Sequence, residues 1–509
     1  MNAELSALRS MDCYELVLAT DIPSGTRLIG YTWVYKMKIN EDGTISRYKA
    51  RVCVNGSQQR PGRDYDQTFA PVASATTIRV VLALATHMRL HLRQYDIKLA
   101  FVSADLDRVV YMKTPAGSGE PIGSAWRLKK CLYGLAQSPR LFNQKLHRVL
   151  LALKWLRSSH DPCLYYQRQG SDLSLLAVVV DDLLLATSNL AHADSFRTDM
   201  TKAFDFKAMG RPSYMIGLHL QHETTCLRIS QRQYILDVGE RFAQRLGPFR
   251  PTFSPAPGNL RLTKTGFSDQ PVSPSANIDL YRSLVGSLMY AVVSRPDVAV
   301  PVSMCARFLA SPTEAHLAAA RRILCYLLST KSMALVYTRT ASPTLTVYVD
   351  SSWAADQDTR RSRYGFAVFF GRALVSWRSK LHSCVSLSSA EAEYIGATEA
   401  CKETMWLRFL LSEIGFPQPT TVFHEDNAAC IKMASNPIVS GRNKHMQLKM
   451  HYVRERVNGK DISLTYVSTK AQRADLLTKN LPRPAFELFR SQLLNPMSLV
   501  PSTTSMGGC

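Results

Sequence analysis

The sequence predicts an α+β chain of more than one domain, and three observations predict it. A basic strand pair stands near the start, at Tyr31–Ile39 and Thr44–Val54. Two apolar arms enclose an acid pair within Leu173–Thr187. From Leu345 onward, strand and helix signals follow one another in the order β-β-β-α-β-α-α-β-α. Length and composition agree with this reading. At 509 residues, 46% hydrophobic and 20% charged, the chain holds enough apolar material for real cores, which excludes wholesale disorder.

Taken in order, Tyr31–Ile39 alternates large apolar side chains with others, Asn40-Glu41-Asp42-Gly43 supplies an Asp-Gly turn, and Thr44–Val54 returns as the second strand. Lys36, Lys38, Arg47, Lys49 and Arg51 make this hairpin basic. Thr76–His87 has helical periodicity, and an apolar-rich strand then ends at Asp96. Leu141–Leu153 is an amphipathic helix with interleaved basic residues. Pro- and Ser-rich stretches at 251–258 and 271–275 read as a linker. Helices over about 281–293 and 312–330 follow, separated by a Ser-Arg-Pro-Asp break.

The last region reads as strands Leu345–Asp350, Gly365–Phe370 and Ala373–Ser379, then a long helix over Ser388–Ile414. Strand Thr421–Asp426, helices Asn427–Ala434 and Met450–Val457, strand Ile462–Ser468 and a terminal helix Gln472–Lys479 complete it. That order is the order of a ribonuclease H fold. The final stretch, Asn495–Cys509, is small and polar and is expected to fray.

Charge and cysteine usage narrow the function. Lys plus Arg is 62 and Asp plus Glu is 40, a net charge of +22, which points to a polyanion and first of all to nucleic acid. The eleven cysteines include no C-x-x-C pair, so structural zinc and disulfides are not expected and a reducing compartment fits. The N-terminus has no signal-peptide core, and the apolar run Leu173–Val180 is cut by Asp181 and Asp182 well short of a membrane span. A soluble intracellular protein is therefore expected, without a membrane partner.

Two sets of carboxylates carry the chemistry. Asp96 ends an apolar segment, and Asp181-Asp182 sits between Val178–Val180 and Leu183–Leu185. An acid pair so flanked is costly unless water or a cation meets it. With Asp96 alongside, the set could hold two divalent ions roughly 3.5–4 Å apart, the arrangement that activates a 3′ hydroxyl and steadies a leaving pyrophosphate. Read alone, the dipeptide could simply cap an exposed hairpin, although the turn lacks the Gly or Asn such a hairpin favours. In the last region, Asp350 ends the first strand, Glu391 lies in the first helix, Asp426 ends the fourth strand and Asp475 begins the last helix. Gathered at one sheet edge, these four could hold two ions and activate water against a phosphodiester. Each also has a bland reading: Glu391 as a capping-box residue after Ser388, Asp426 as a cap, Asp475 as a charge favouring a helix dipole.

The ordered motifs SRYKARV (46–52), YDQTFAPVASATTIR (65–79), YDIKLAF (95–101), VYMKTP (110–115), RLKKCLYGLAQSPR (127–140), HDPCLY (160–165), VVDDLL (179–184) and YRSLVGSLMYAVVSRPD (281–297) resemble the reverse transcriptase of copia-type LTR retrotransposons. DSSWA (350–354), RRSRYG (360–365), SWRSK (376–380), LSSAEAEY (387–394), WLRFLLSEIG (406–415), EDNAACI (425–431), RNKHMQLKMHYVRE (442–455) and DLLTK (475–479) resemble the ribonuclease H of the same elements. The resemblance covers residues 14–490. It implies a right-hand polymerase fold followed by an α/β ribonuclease H-like domain. The divisions it implies are an extension at 1–13, fingers and palm over 14–250, a linker with a thumb- or connection-like helical region over 251–342, a ribonuclease H-like domain over 343–490 and a flexible tail at 491–509.

By the same resemblance, Asp96 and Asp181 would be metal ligands and Asp182 a supporting carboxylate. Phe101 would sit under the incoming sugar and disfavour a 2′-hydroxyl, Lys49 and Arg51 would hold the triphosphate, and Gln137 would contact nucleotide or template. Asp350, Glu391, Asp426 and Asp475 would be the nuclease ligands, with His445 and His451 in structural or RNA-contacting roles. Mg²⁺ would be the cofactor, a pair of ions in each site, with Mn²⁺ as the alternative. RNA template, DNA primer, RNA–DNA hybrid and dNTPs would be the partners, together with other segments of a polyprotein, in a cytoplasmic particle or the nucleus. Val179 stands where the family carries Tyr, and Ser352 and Gln447 stand where it often carries Asp. No zinc knuckle, integrase zinc domain or protease Asp-Thr/Ser-Gly signature is found, so a segment of a longer polyprotein or a broken copy is expected. The function expected is an RNA-directed DNA polymerase with ribonuclease H activity. A decayed or repurposed remnant that binds nucleic acid without turnover is the alternative.

Overall fold

A computed structural model describes residues 1–39, 45–258, 260–268, 270–340, 343–435 and 447–496. The Asp-Gly turn expected at 40–43, His445 and most of the expected tail lie outside these residues. Two compact units interleave along the chain: Met1–Ser74 with His91–Arg211, and Ala75–Leu90 with the chain from Pro212 onward. The division between them after Arg211 does not coincide with the Pro- and Ser-rich stretch at 251–258.

In the first unit, strands β1 (Tyr31–Ile39) and β2 (Ile45–Val54) form the expected antiparallel hairpin, with Lys36 opposite Lys49 and Val34 opposite Arg51. A six-stranded antiparallel sheet carries the acid residues. At its centre, β3 (His91–Ile97) pairs with β5 (Asp182–Thr187), and β5 pairs with β4 (Asp172–Val179). Leu173, Leu175 to Val178 and Leu183 to Ala186 are all buried, which is why β4 and β5 read as continuous apolar runs rather than alternating ones. The helix Leu190–Ala203 covers one face: Phe196 meets Tyr95 of β3 edge-on, with ring centroids 5.6 Å apart, and Tyr95 stacks on Phe206 at 4.8 Å.

In the second unit a five-stranded sheet is built around β6 (Leu345–Ser352). It pairs antiparallel with β7 (Arg363–Phe370), which pairs with β8 (Ala373–Leu381). On its other side β6 runs parallel to β9 (Thr421–Glu425), and β9 to β10 (Ile462–Tyr466). Helix α1 (Ser389–Glu413) lies across β6 and β7. The approach is close: a Cβ at Gly396 would stand 2.6 Å from Ser351 Oγ, and that hydroxyl donates to the Ala392 carbonyl of α1 at 2.9 Å. A Cβ at Gly365 would likewise meet the backbone of Leu477, at 2.7 Å from its carbonyl oxygen.

Two expectations are corrected here. The segment expected as a terminal helix over Gln472–Lys479 is a 3-10 turn, Arg473–Leu477, and the last α-helix, α2, is Arg483–Leu493. The segment expected as a flexible tail from 491 has regular structure where it is described: Ser491–Leu493 close α2 and Asn495–Pro496 pair with strand Met333–Thr338. Among the described residues no helix is long and apolar enough to cross a membrane.

The Ser-Arg-Pro-Asp break is a buried lock rather than a loose joint. Arg295 donates to both oxygens of Asp297, at 2.9 and 2.7 Å, and to the Thr330 carbonyl at 2.9 Å, while the Tyr326 hydroxyl donates to Asp297. Arg295 and Asp297 are at most 1% exposed. Removing one charge strands the other away from water. Asp297→Asn is therefore expected to destabilise the protein by about 3–5 kcal/mol, read as a lower urea midpoint, and Arg295→Met with Asp297→Leu to recover most of that stability.

Candidate active sites

In the second unit the strand ends converge. Asp350 lies near the end of β6, Asp426 follows the last residue of β9, and Asp475 projects from the 3-10 turn. Carboxylate oxygens of these three lie within 4.8 Å of one another. A second set, Glu393, Glu425 and Asp426, meets the same limit and shares Asp426 with the first. Three of the four expected residues are thus brought together.

Glu391 is the exception. Its carboxylate accepts the Leu387 N–H at 2.8 Å, and its own N–H donates to the hydroxyl of the N-cap residue Ser388 at 3.2 Å, so it is engaged in the capping of α1. Glu393 joins the cluster instead. The two lie about 200° apart around the helix, so only one can face the end of β9. In this Glu-Ala-Glu triplet the residue expected from sequence is Glu391, and helical phase against the sheet selects Glu393 instead.

Burial sets the electrostatics. Asp350 is 1% exposed and its carboxyl pKa is raised by that burial, against the opposing pull of Lys479 and Thr478. Glu393 is pushed up to about 11 by burial and then by Asp350, Glu425 and Asp426. Glu425, fully buried, is also raised well above the usual range by desolvation. Asp475 rises to about 7, again by burial first and then by Asp350. Burial alone would lower the Lys479 ammonium, but Asp350 and Asp475 outweigh it and raise its pKa. Lys479 Nζ stands 2.7 Å from Asp475 and 3.6 Å from Asp350, and the Thr478 hydroxyl donates to Asp350.

One oxygen of Glu393 and one of Glu425 are buried without a hydrogen-bond partner. Five hard oxygen donors with unspent acceptor capacity suit a divalent cation of the Mg²⁺ or Mn²⁺ kind. Glu425, Thr478 and Lys479 were not assigned from sequence. The DLLTK motif contained the last two, but nothing in a linear reading aims them at Asp350.

In the first unit, register does the positioning. Asp182 is paired directly opposite Asp96 on the neighbouring strand, and the Ile97 N–H donates to the Asp181 carbonyl at 3.0 Å. Val180, in the turn, is held at φ 57°, an unusual conformation for a β-branched residue and a mark of strain. Asp181 is raised chiefly by burial, with Asp96 adding to it and Arg51 and Lys49 opposing it. Asp182 is raised by burial and then by Asp181. Lys49 and Arg51, on one side of β2, thus lie near enough to Asp181 to lower its carboxyl pKa. The Arg51 guanidinium lies 4.8 Å from the centre of the Tyr133 ring, and Phe101 meets that ring edge-on at 5.1 Å. The three aspartates are neighbours, but among the described residues they do not reach the ion-sharing distance seen in the second unit.

Gln137 is corrected. It is fully buried, accepting from Gln59 Nε2 at 2.9 Å and donating to the Asp64 carbonyl at 3.0 Å, so its amide clamps two segments together instead of facing a nucleotide.

A sheet that presents acids at a strand-end hairpin, followed along the chain by a ribonuclease H-type sheet with an acidic edge, has the architecture of a polymerase palm followed by a ribonuclease H-like domain. Residues 12–245 match the family model described as reverse transcriptase (RNA-dependent DNA polymerase). The chain is 36% identical over 497 residues to the retrovirus-related Pol polyprotein from transposon TNT 1-94 of Nicotiana tabacum, covering 96% of this chain and 37% of that one. It is 33% identical over 498 residues to the corresponding polyprotein from transposon RE1 of Arabidopsis thaliana, covering 97% and 33%. A putative transposon Ty5-1 protein of Saccharomyces cerevisiae is 32% identical over 314 residues, covering 60% of this chain and 99% of the relative. Among solved structures, the foamy viral protease-reverse transcriptase in complex with double-stranded DNA matches with a TM-score of 0.49 and 11% identity, over 91% of this chain and 68% of that one. The chain belongs to the copia-type retrotransposon Pol family, and it spans 33–37% of the length of the Pol polyproteins named here.

Two outcomes test this site without turnover. Glu393→Gln should weaken Mn²⁺ binding by calorimetry at least tenfold, whereas Glu391→Gln should leave it near the parent value. Asp475 also makes ion-free stability depend on pH. Its folded pKa of about 7 exceeds the ordinary 3.8, so its contribution is full below about pH 4 and is lost as pH rises through about 7. In chelator, the melting temperature should fall between pH 5 and 8 more steeply for the parent than for Asp475→Asn, and added Mg²⁺ at pH 8 should restore it.

Proposed function

We propose that this chain is an RNA-directed DNA polymerase and ribonuclease H, copying retrotransposon RNA into DNA and hydrolysing the RNA of the resulting hybrid. The observation that carries this reading is the carboxylate cluster of Asp350, Glu393, Asp426 and Asp475, gathered from strand ends, helix α1 and the 3-10 turn at one edge of a ribonuclease H-type sheet. Asp96 opposite Asp182 supports the polymerase half.

Divalent ions, when bound, supply Lewis-acid activation of the attacking oxygen and stabilise the leaving one. Asp350, Glu393, Asp426 and Asp475 would hold them in the nuclease, and Asp96, Asp181 and Asp182 in the polymerase. The Thr478 hydroxyl fixes the orientation of the Asp350 carboxylate, and Thr469 does the same for Asp426, donating at 2.7 Å. Lys479 offsets part of the negative charge. Lys49 and Arg51 bring positive charge to the acid side of the first unit, where a triphosphate would be bound, and Phe101 would bear on the incoming sugar. RNA template, DNA primer and dNTPs are the substrates in this reading.

A second reading, a remnant that grips nucleic acid without turnover, is favoured by one observation. The polymerase aspartates do not draw together as the nuclease acids do, and Val179 stands beside them. Primer extension on an RNA template with Mg²⁺ separates the two. The parent protein should extend a labelled DNA primer, and the Asp181→Asn, Asp182→Asn variant should extend it at least a hundredfold more slowly while still binding hybrid. Tight hybrid binding by both proteins with extension by neither would leave only the second reading.

A further inference from the structure

A cavity of about 430 Å³ lies beside the nuclease cluster in the second unit. Arg261, Arg307, Arg360, Arg363 and Lys479 line it, and Asp356 is the one carboxylate in its wall among the described residues. That carboxylate binds Arg307 at 2.7 Å and accepts the Asp358 N–H at 2.9 Å.

Arg363 is the informative residue. It is 3% exposed, and its hydrogen bonds, both from Nη1, go to the hydroxyls of Ser303 at 2.8 Å and Ser379 at 3.2 Å. No carboxylate pairs with it among the described residues. A buried guanidinium hydrogen-bonded only to neutral hydroxyls, with Asp356 acting on it through space, is an expensive arrangement that an anion in the cavity would relieve. Arg261 and Arg360 are exposed at the same cavity and likewise have no ion pair among the described residues. Arg360 is held in place at φ 56° by its N–H to the Asp356 carbonyl at 2.8 Å, in a loop closed by the Asp356 N–H to the Arg361 carbonyl at 3.0 Å. Trp353 adds a half-exposed indole to the wall, pinned through Nε1 to the Ser386 carbonyl at 2.9 Å.

The wall is continuous with the acid cluster. Thr478 and Lys479 line the cavity and also contact Asp350, which sets the cavity wall beside the cluster. We propose that this cavity is a phosphate-binding site, formed by Arg261, Arg360 and Arg363, that takes a backbone phosphodiester of the nucleic acid being cut at the adjacent carboxylates. The proposal rests on the nuclease reading above. Guanidinium forks suit phosphate oxygens better than single ammonium donors, and the Trp353 face suits a sugar or base beside that phosphate.

The test measures binding of a labelled RNA–DNA hybrid by fluorescence anisotropy, in Ca²⁺ to limit turnover, across a salt series. Arg261→Gln and Arg360→Gln, both at exposed positions, are compared singly and together with the parent and with Arg245→Gln, which does not line the cavity. The double variant should bind at least tenfold more weakly, and the slope of log affinity against log salt should fall by about 0.9 for each phosphate that is no longer neutralised. Arg245→Gln should keep the parent slope. Parent-like affinity and slope in the double variant, with the parent binding hybrid, would overturn the cavity site and leave the nuclease reading standing. Failure of the parent to bind hybrid would remove both. Inorganic phosphate and a dNTP serve as competitors. If either binds with dependence on Arg261 and Arg360 while hybrid affinity does not depend on them, the site takes free phosphate and the backbone assignment falls.

Discussion

The constraint on which the second unit depends is the crowding of carboxylates in a place that water scarcely reaches. Asp350, Glu393 and Glu425 are each buried, and their shared oxygens lie within a few ångströms of Asp426. Such a cluster is unfavourable in itself, since desolvation and mutual repulsion both penalise ionisation. It persists because the backbone leaves no alternative. Parallel pairing of β6 with β9 brings their ends to one edge, and the close approach at Gly396 seats α1 low enough for Glu393 to reach that edge. Contact of the 3-10 turn with Gly365 brings Asp475 to the same place. Lys479 and Thr478 offset part of that cost at Asp350.

The first unit solves a similar problem with less burial. Its aspartates are half-exposed, and Lys49 and Arg51 on a separate hairpin temper Asp181 through space. Strain is concentrated at Val180, where a β-branched residue occupies a left-handed turn. The two acid groups thus differ in kind. One is a dense, dry cluster held by sheet, helix and turn. The other is an open set whose geometry rests on a single strand register.

Much of this was legible in the sequence because it depends on local pattern. The apolar runs around Asp181-Asp182, the long helix after Ser388 and the strand order of the last region were readable from periodicity and turn residues, and they stand within a few residues of where the structure has them. The helix Ala299–Cys305 and the last helix, Arg483–Leu493, were not read. The first is a short apolar segment with an internal Pro301, and the second begins at a Pro-Arg-Pro that reads as a loop. Among site residues, Asp96, Asp181, Asp182, Asp350, Asp426 and Asp475 are found close to one another in their respective units. Gln137 is turned inward to Gln59 and Asp64, which no linear pattern could show.

What the sequence by itself determined was the family, the order of elements and the supply of carboxylates at strand and helix ends, all properties of residue type and spacing along the chain. Tertiary structure alone decided which acids meet. Glu391 and Glu393 are two residues apart and chemically identical, and only the rotation of α1 against the sheet engages one in capping and makes the other a member of the cluster. The same holds for the arginines about the adjacent cavity, drawn from segments a hundred residues apart at the extremes, from Arg261 to Arg363. Charge acts through space, at distances set by packing, and a sequence records only separation along the chain.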